Sequence, residues 1–201
     1  MLTQEKINSN FVLFTKKLEK YGCYSEDMFR DLGEEIKNCS FSLNEDSGAA
    51  YQGSMIDVVL NTLCKTAYHI NECAFSEHPD LKVNTDMLMR VLLLQHIAKA
   101  QMFTATREQW KIKKGQFYDF NINLVSNLKL GERTLFLCQK YGITLIEEEY
   151  EALRIIDKLD DSKGDTFSSP LAMIVKTANM FTALELRRKA LKNKKEETLE
   201  K

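Results

Sequence analysis

Three histidines, five cysteines and several short runs of carboxylates are the groups in this chain that could hold a metal or move a proton. His69 and His78 have no carboxylate at useful spacing, so surface or capping roles suit them better than metal ligation. His96 is different, because it sits in the apolar run LLLQHIAKA. A buried imidazole there needs a hydrogen-bond partner, and Gln95 and Lys99 are its polar neighbours in sequence. A core histidine satisfied by a neighbour is the simpler reading, and a catalytic histidine the sharper one. Cys23, Cys39, Cys64, Cys73 and Cys138 are odd in number and form no CxxC pair, which favours buried reduced thiols over a zinc ribbon or redox motif.

Other charged segments have plainer readings. Glu147, Glu148 and Glu149 together suit the start of a helix, where negative charge is favoured. Trp110, Lys113, Lys114, Phe117 and Tyr118 bring bases and aromatics together, as a nucleic-acid or protein contact would require, although a solvated hairpin tip explains them as well. The basic stretch 187–195 is offset by Glu196, Glu197 and Glu200 and reads as a solvated tail. No phosphate-binding glycine loop, nucleophile elbow or paired-histidine metalloprotease motif occurs.

The elements that must position these groups are read from apolar spacing. Ile7, Phe11, Leu13, Phe14, Leu18 and Tyr21 predict a helix over 4–21, with Gly22 as its stop. Ser25 opens a second helix to about Asn38. Residues 40–53 read as a loop, and a long helix follows over 54–75 with Met55, Val58, Val59, Thr62, Leu63, Ala67 and Ile70 on one face. After the His78-Pro79-Asp80 break, Asn84 or Thr85 caps a helix that is apolar nearly all round from Met87 to Phe103, as a central helix would be. Residues 107–121 alternate around Gly115 and predict a short β-hairpin. Helices then cover 131–141, with Gly142 as the stop, and 144–159. A polar loop covers 160–168, and a last helix opens at Ser169-Pro170.

Composition bounds the class. With 44% hydrophobic and 28% charged residues over 201 positions, the chain can bury a core without disulfides or a structural metal. Two prolines and eight glycines favour helices over a many-stranded sandwich. A net charge of −1 gives no global field to draw in nucleic acid or an anionic membrane. No run of about eighteen apolar residues predicts a membrane span, and the polar start MLTQEKINSNF lacks the apolar core of a secretory signal, so a cytoplasmic protein is expected.

Four segments carry a family resemblance: AAYQGSMIDVVLNTL at 49–63, LLLQHIAK at 92–99, LKLGERTLFLCQKYGITLIEEEYEALRIID at 128–157 and SPLAMIVKTANMFTA at 169–183. Their order resembles the HD-domain metal-dependent phosphohydrolases, particularly a branch found in phages, mobile elements and bacterial genomes. The resemblance also covers the hairpin around Gly115 and spans about 48–183. It implies a helical shell in which imidazoles and carboxylates hold divalent metal, lower the pKa of a bound water and polarise a phosphoryl oxygen. The matching positions depart from that set. Val58, beside Asp57, stands at the first histidine, and Gln95-His96 stands at the His-Asp pair. Leu130 and Ile156, the latter beside Asp157, stand at two further histidines, and Asn179 at the terminal aspartate. Valine, leucine and isoleucine cannot ligate metal, and neutral amides ligate it weakly.

The expectation is therefore an all-α, HD-domain-like bundle of about seven helices with one small β-hairpin insertion. Its parts are an N-terminal helical extension at 1–47, acting as a lid or dimer arm, the HD-like domain at 48–186 and a charged helical tail at 187–201. Its vestigial pocket would be lined by Asp57, Gln95, His96, Lys99, Arg154, Asp157, Lys176 and Asn179, with no catalytic residue, metal or cofactor. A catalytically inactive protein binding a protein partner or a small anionic ligand, held by Lys99, Arg154 and Lys176, is the leading expectation. A hydrolase rearranged around His96 and a nucleic-acid accessory protein are the alternatives. No membrane and no nucleic acid are expected as partners in the leading reading.

Overall fold

The computed structural model describes residues 2–156 and 169–199. The chain is all-α with one small two-stranded antiparallel sheet. Helices α1 (Gln4–Lys20) and α2 (Glu26–Asn38) are joined at Gly22, whose φ of +64° lets the chain leave the first helix. The Ser25 hydroxyl caps α2 by accepting from the Met28 amide, and donates to the Tyr141 carbonyl across the molecule. Phe14 and Leu18 of α1 and Met28 and Ile36 of α2 enter the same core as the later helices.

The long helix over 54–75 forms in three pieces: α3 (Ser54–Val58), a π-helical turn at Val59–Leu63, and α4 (Cys64–Ala74). The wider turn carries the buried face forward through Val59, Leu60, Leu63, Cys64 and Ala67. Helix α5 (Thr85–Leu94) is capped by the Asn84 carboxamide, which accepts from the Asp86 and Met87 amides. Its apolar character reflects a central position, with Leu88, Val91, Leu92, Leu93 and Leu94 all buried.

The helix predicted to run on to Phe103 instead stops at Leu94. Residues 95–98 form tight turns with i→i+3 bonds, Ile97 to Leu94 and Lys99 to His96, before the short helix α6 (Lys99–Met102). The Gln95 carbonyl, released from the helical ladder, accepts from the Thr134 hydroxyl at 3.4 Å. A tertiary bond thus compensates the break.

The small sheet pairs β1 (Phe103–Ala105) with β2 (Tyr118–Phe120), Thr104 opposite Asp119. The expected strand through Trp110 and Ile112 is instead helix α7 (Gln109–Lys113). Glu108 secures that turn, since its carboxylate accepts from the Trp110 indole at 2.6 Å and pairs with Lys111 at 2.7 Å. Gly115, at φ +76°, then returns the chain toward β2.

Helix α8 (Leu130–Lys140) ends at Gly142, and α9 (Glu147–Arg154) packs against it. The loop predicted at 160–168 and the end of the helix predicted to reach 159 lie outside the described residues. Helix α10 (Pro170–Leu199) starts under the Ser169 cap, whose hydroxyl accepts from the Ala172 amide. It crosses α4, α5 and α9 and reaches the loop at 45–48. Gly48 makes that last approach possible, because a Cβ there would lie 2.3 Å from the Leu186 carbonyl oxygen.

A part-buried ion pair ties distant segments together. Arg90 of α5 donates from Nε to Glu149 of α9 at 2.6 Å. Its Nη1 donates to the Tyr21 and Gly22 carbonyls at 2.9 and 2.7 Å, and its Nη2 to the Thr144 carbonyl at 2.7 Å. Glu149, only 3% exposed in its side chain, also accepts from the Ile146 amide. The acidic run at 147–149 therefore does more than charge a helix start. Its third member joins the α1–α2 turn, α5 and the α8–α9 connection.

Candidate functional site

The break after α5 turns Gln95 and His96 toward α10, where Asn179 meets both. The Asn179 carboxamide donates from Nδ2 to Gln95 Oε1 at 2.7 Å and to the Val175 carbonyl at 2.9 Å. Its Oδ1 is thereby the acceptor that faces His96 Nε2 at 3.2 Å. The imidazole must then carry its proton on Nε2. Gln95 is fully buried and His96 nearly so. Within the described residues, Gln95 Nε2 and His96 Nδ1 have no hydrogen-bond partner.

Burial holds His96 neutral, with its pKa well below 6.5, and the nearby Lys99 ammonium pushes the same way. The hydrogen bond with Asn179 opposes them more weakly. Lys99 donates from Nζ to the Phe41 carbonyl at 2.6 Å, and its ammonium lies 3.8 Å from the Phe41 ring centroid. The same ring meets His96 edge-on at 4.7 Å. Phe41 also packs with Ala49, Val58 and Leu186 in a small apolar cluster. Imidazole, amides, ammonium and aromatic ring therefore form one compact knot between the α5–α6 turn, α10 and the loop after α2.

The other expected pocket residues are placed elsewhere. Asp57 accepts from Asn10 Nδ2 at 3.1 Å, Asn61 Nδ2 at 2.8 Å and the Tyr51 hydroxyl at 2.9 Å, which ties α1 to α3. Burial and that carboxylate push the Tyr51 phenol up, so it remains a donor. Arg154 is exposed in a groove shared with Glu132, Phe136 and Tyr150 on α8 and α9, so it does not join Lys99. Lys176 is half-buried on α10, one turn before Asn179. Asp157 lies outside the described residues. Phe41 and Thr134, both part of the knot or its support, were missed by sequence reasoning. Each sits in an ordinary local context, and only the folded chain brings it to Gln95 or His96.

Among the described residues, no group of three or more histidine, cysteine, aspartate or glutamate side chains converges in a way that could hold a metal ion. His69 and His78 are exposed. The thiols of Cys23, Cys39, Cys64 and Cys138 are buried, and burial pushes each up to about 12, so they behave as small apolar groups. Cys73 is exposed and unpaired with any other cysteine. No described helix is long and apolar enough to cross a membrane. In comparisons with known proteins, the chain matches no family model, no curated protein and no solved structure.

Proposed function

We propose that this chain is a catalytically inactive, cytoplasmic binding protein, built on an HD-like scaffold whose metal shell has been replaced by neutral side chains. One observation carries the reading: Asn179 bridges Gln95 and a neutral His96 inside the bundle. Those are the segments that the resemblance aligns with a metal-binding His-Asp pair and a terminal aspartate, and here they meet through amides. A site of that kind offers hydrogen bonds without the negative charge that a divalent cation requires. Val58, Leu130 and Ile156, at the remaining ligand positions, are buried or partly buried apolar residues that pack into the interior.

What remains is a scaffold whose surfaces and polar knot serve recognition of a protein or a small ligand. With Lys99 turned to the Phe41 carbonyl and Arg154 on another face, a three-cation cage for an anion receives no support, and protein recognition is the preferred form of the proposal. The test is metal content and turnover of the purified full chain. The expected result is well below about 0.1 manganese, iron or zinc per chain, with no metal-stimulated hydrolysis of phosphomonoesters or nucleotides. About one tightly held metal per chain, or metal-dependent turnover lost in His96→Ala, would overturn the proposal.

A further inference from the structure

The outer face of α10 carries an apolar stripe that stays exposed among the described residues. Met173, Met180, Leu184 and Leu191 are 46%, 64%, 54% and 61% exposed. They occur at spacings of seven, four and seven residues. At 100° per residue they fall within about 40° of one another around the helix. The buried residues Leu171, Val175, Ala178, Thr182 and Leu186 occupy the opposite side. Phe181, also exposed, widens the stripe toward a groove of about 690 Å³ between α4 and α10, lined by Thr66, Leu184 and Arg188.

From this geometry we infer that α10 is a homodimerisation helix, pairing antiparallel with α10 of a second copy about a two-fold axis that crosses the stripe midway between Met180 and Leu184. An isologous interface requires a surface that is complementary to itself, and this stripe satisfies that condition. A two-fold at the level of residue 182 sets Met180 against Leu184 and Met173 against Leu191, each pair made twice, with Thr177 against Arg187 in two symmetry-related polar layers between them. These are the layers of a two-stranded seam, and the two polar layers fix its register.

Charge selects the orientation. Arg187, Arg188, Lys189, Lys192, Lys194 and Lys195, only partly offset by Glu185, Glu196 and Glu197, leave the distal half of α10 net positive. Parallel pairing would bring the two cationic halves together. Antiparallel pairing places Leu191 of the two copies about 27 Å apart along the axis, at 1.5 Å per residue and well beyond the ~10 Å screening length. Area sets the strength. Five half-exposed side chains at roughly 100 Å² each bury about 1,000 Å² between two copies, which is the lower limit for a specific dimer. An interface at that limit suits reversible, concentration-dependent pairing.

Sedimentation velocity of the full chain, from about 1 to 200 µM, reads this directly. The expected result is a shift from the 23.2 kDa monomer toward twice that mass. Leu184→Glu and Met180→Glu, both at exposed positions, should each weaken the dimer by about tenfold or more with unchanged helical circular dichroism. Ile122→Glu, at an exposed position in the loop after β2 and outside α10, should leave it intact. In a Cys73→Ser background, a chain carrying Met173→Cys should form a disulfide with one carrying Leu191→Cys. It should not do so with another Met173→Cys chain. A monomer throughout the concentration range, a dimer indifferent to both glutamates, a dimer dissolved by Ile122→Glu, or 173-to-173 cross-linking would each overturn the inference.

Discussion

Arg90→Ala is expected to destabilise the fold by about 3–5 kcal/mol in a denaturant titration. The substitution leaves the buried Glu149 carboxylate without its cation, and it strips the Tyr21, Gly22 and Thr144 carbonyls of their shared donor. An uncompensated buried charge costs far more than a surface ion pair gains. Arg90→Lys should recover only part of the loss, because a single ammonium cannot reach four acceptors in a planar fork. By contrast, Arg30→Ala removes an exposed pair with Asp27 and should leave stability almost unchanged. If Arg90→Ala unfolds at the wild-type midpoint, the clamp does not join the helices as described.

Asn179→Ala is expected to cost about 2–4 kcal/mol, because it leaves Gln95 Oε1 and His96 Nε2–H buried without a partner. Its pH dependence follows from His96. The folded imidazole has a pKa well below the unfolded value of 6.5, so between the two the unfolded chain binds more protons. The contribution is fully present above about pH 6.5 and is lost as pH falls below it, by up to ~1.4 kcal/mol per pH unit. Asn179→Asp reverses the local sign: a carboxylate beside Nε2 favours the imidazolium, and the slope between about pH 6.5 and 5 should flatten. Equilibrium unfolding at several pH values checks both. A wild-type stability that is flat across that window, with Asn179→Ala costing under about 0.5 kcal/mol, would remove the knot from the account.

Where local chemistry decides the structure, the residues themselves announce it. Ser25, Asn84 and Ser169-Pro170 open helices, and Gly22 and Gly142 follow helix ends at positive φ, because a cap acts on its own backbone neighbours. The all-α class and a small sheet near Gly115 follow from the same short-range signals.

The misread elements have causes that apolar spacing alone does not display. The π turn at Val59–Leu63 occurs in a run with no breaker, since a wider turn demands no special residue. The end of α5 at Leu94 is matched by the Gln95 carbonyl accepting from the Thr134 hydroxyl, thirty-nine positions later. The alternation of Trp110 and Ile112 was too short to tell one helical turn from a strand, and Glu108 settled it locally.

The candidate site divides along the same line. The placement of Gln95 and His96 in an apolar run marked them as buried groups in need of partners, and Asn179 stands on a helix that also faces the core. Phe41 carries no such mark, because its role arises only when the loop after α2 folds over Lys99 and His96. Arg90 did leave a trace, as a lone charge in the run LMRVLLL. A charge in a helix buried on nearly every side must have an acid to meet, and Glu149 supplies it.

The neutral amide–imidazole knot of Gln95, His96 and Asn179 is the physical basis of the proposed function. The most direct test is the nitrogen spectrum of the His96 ring in the intact chain, recorded from about pH 8 to 5 with and without zinc. The account predicts a neutral ring protonated on Nε2 throughout, with shifts unmoved by the metal. A ring that titrates near 6.5, or that gives up its Nε2 proton to bind zinc, would contradict it.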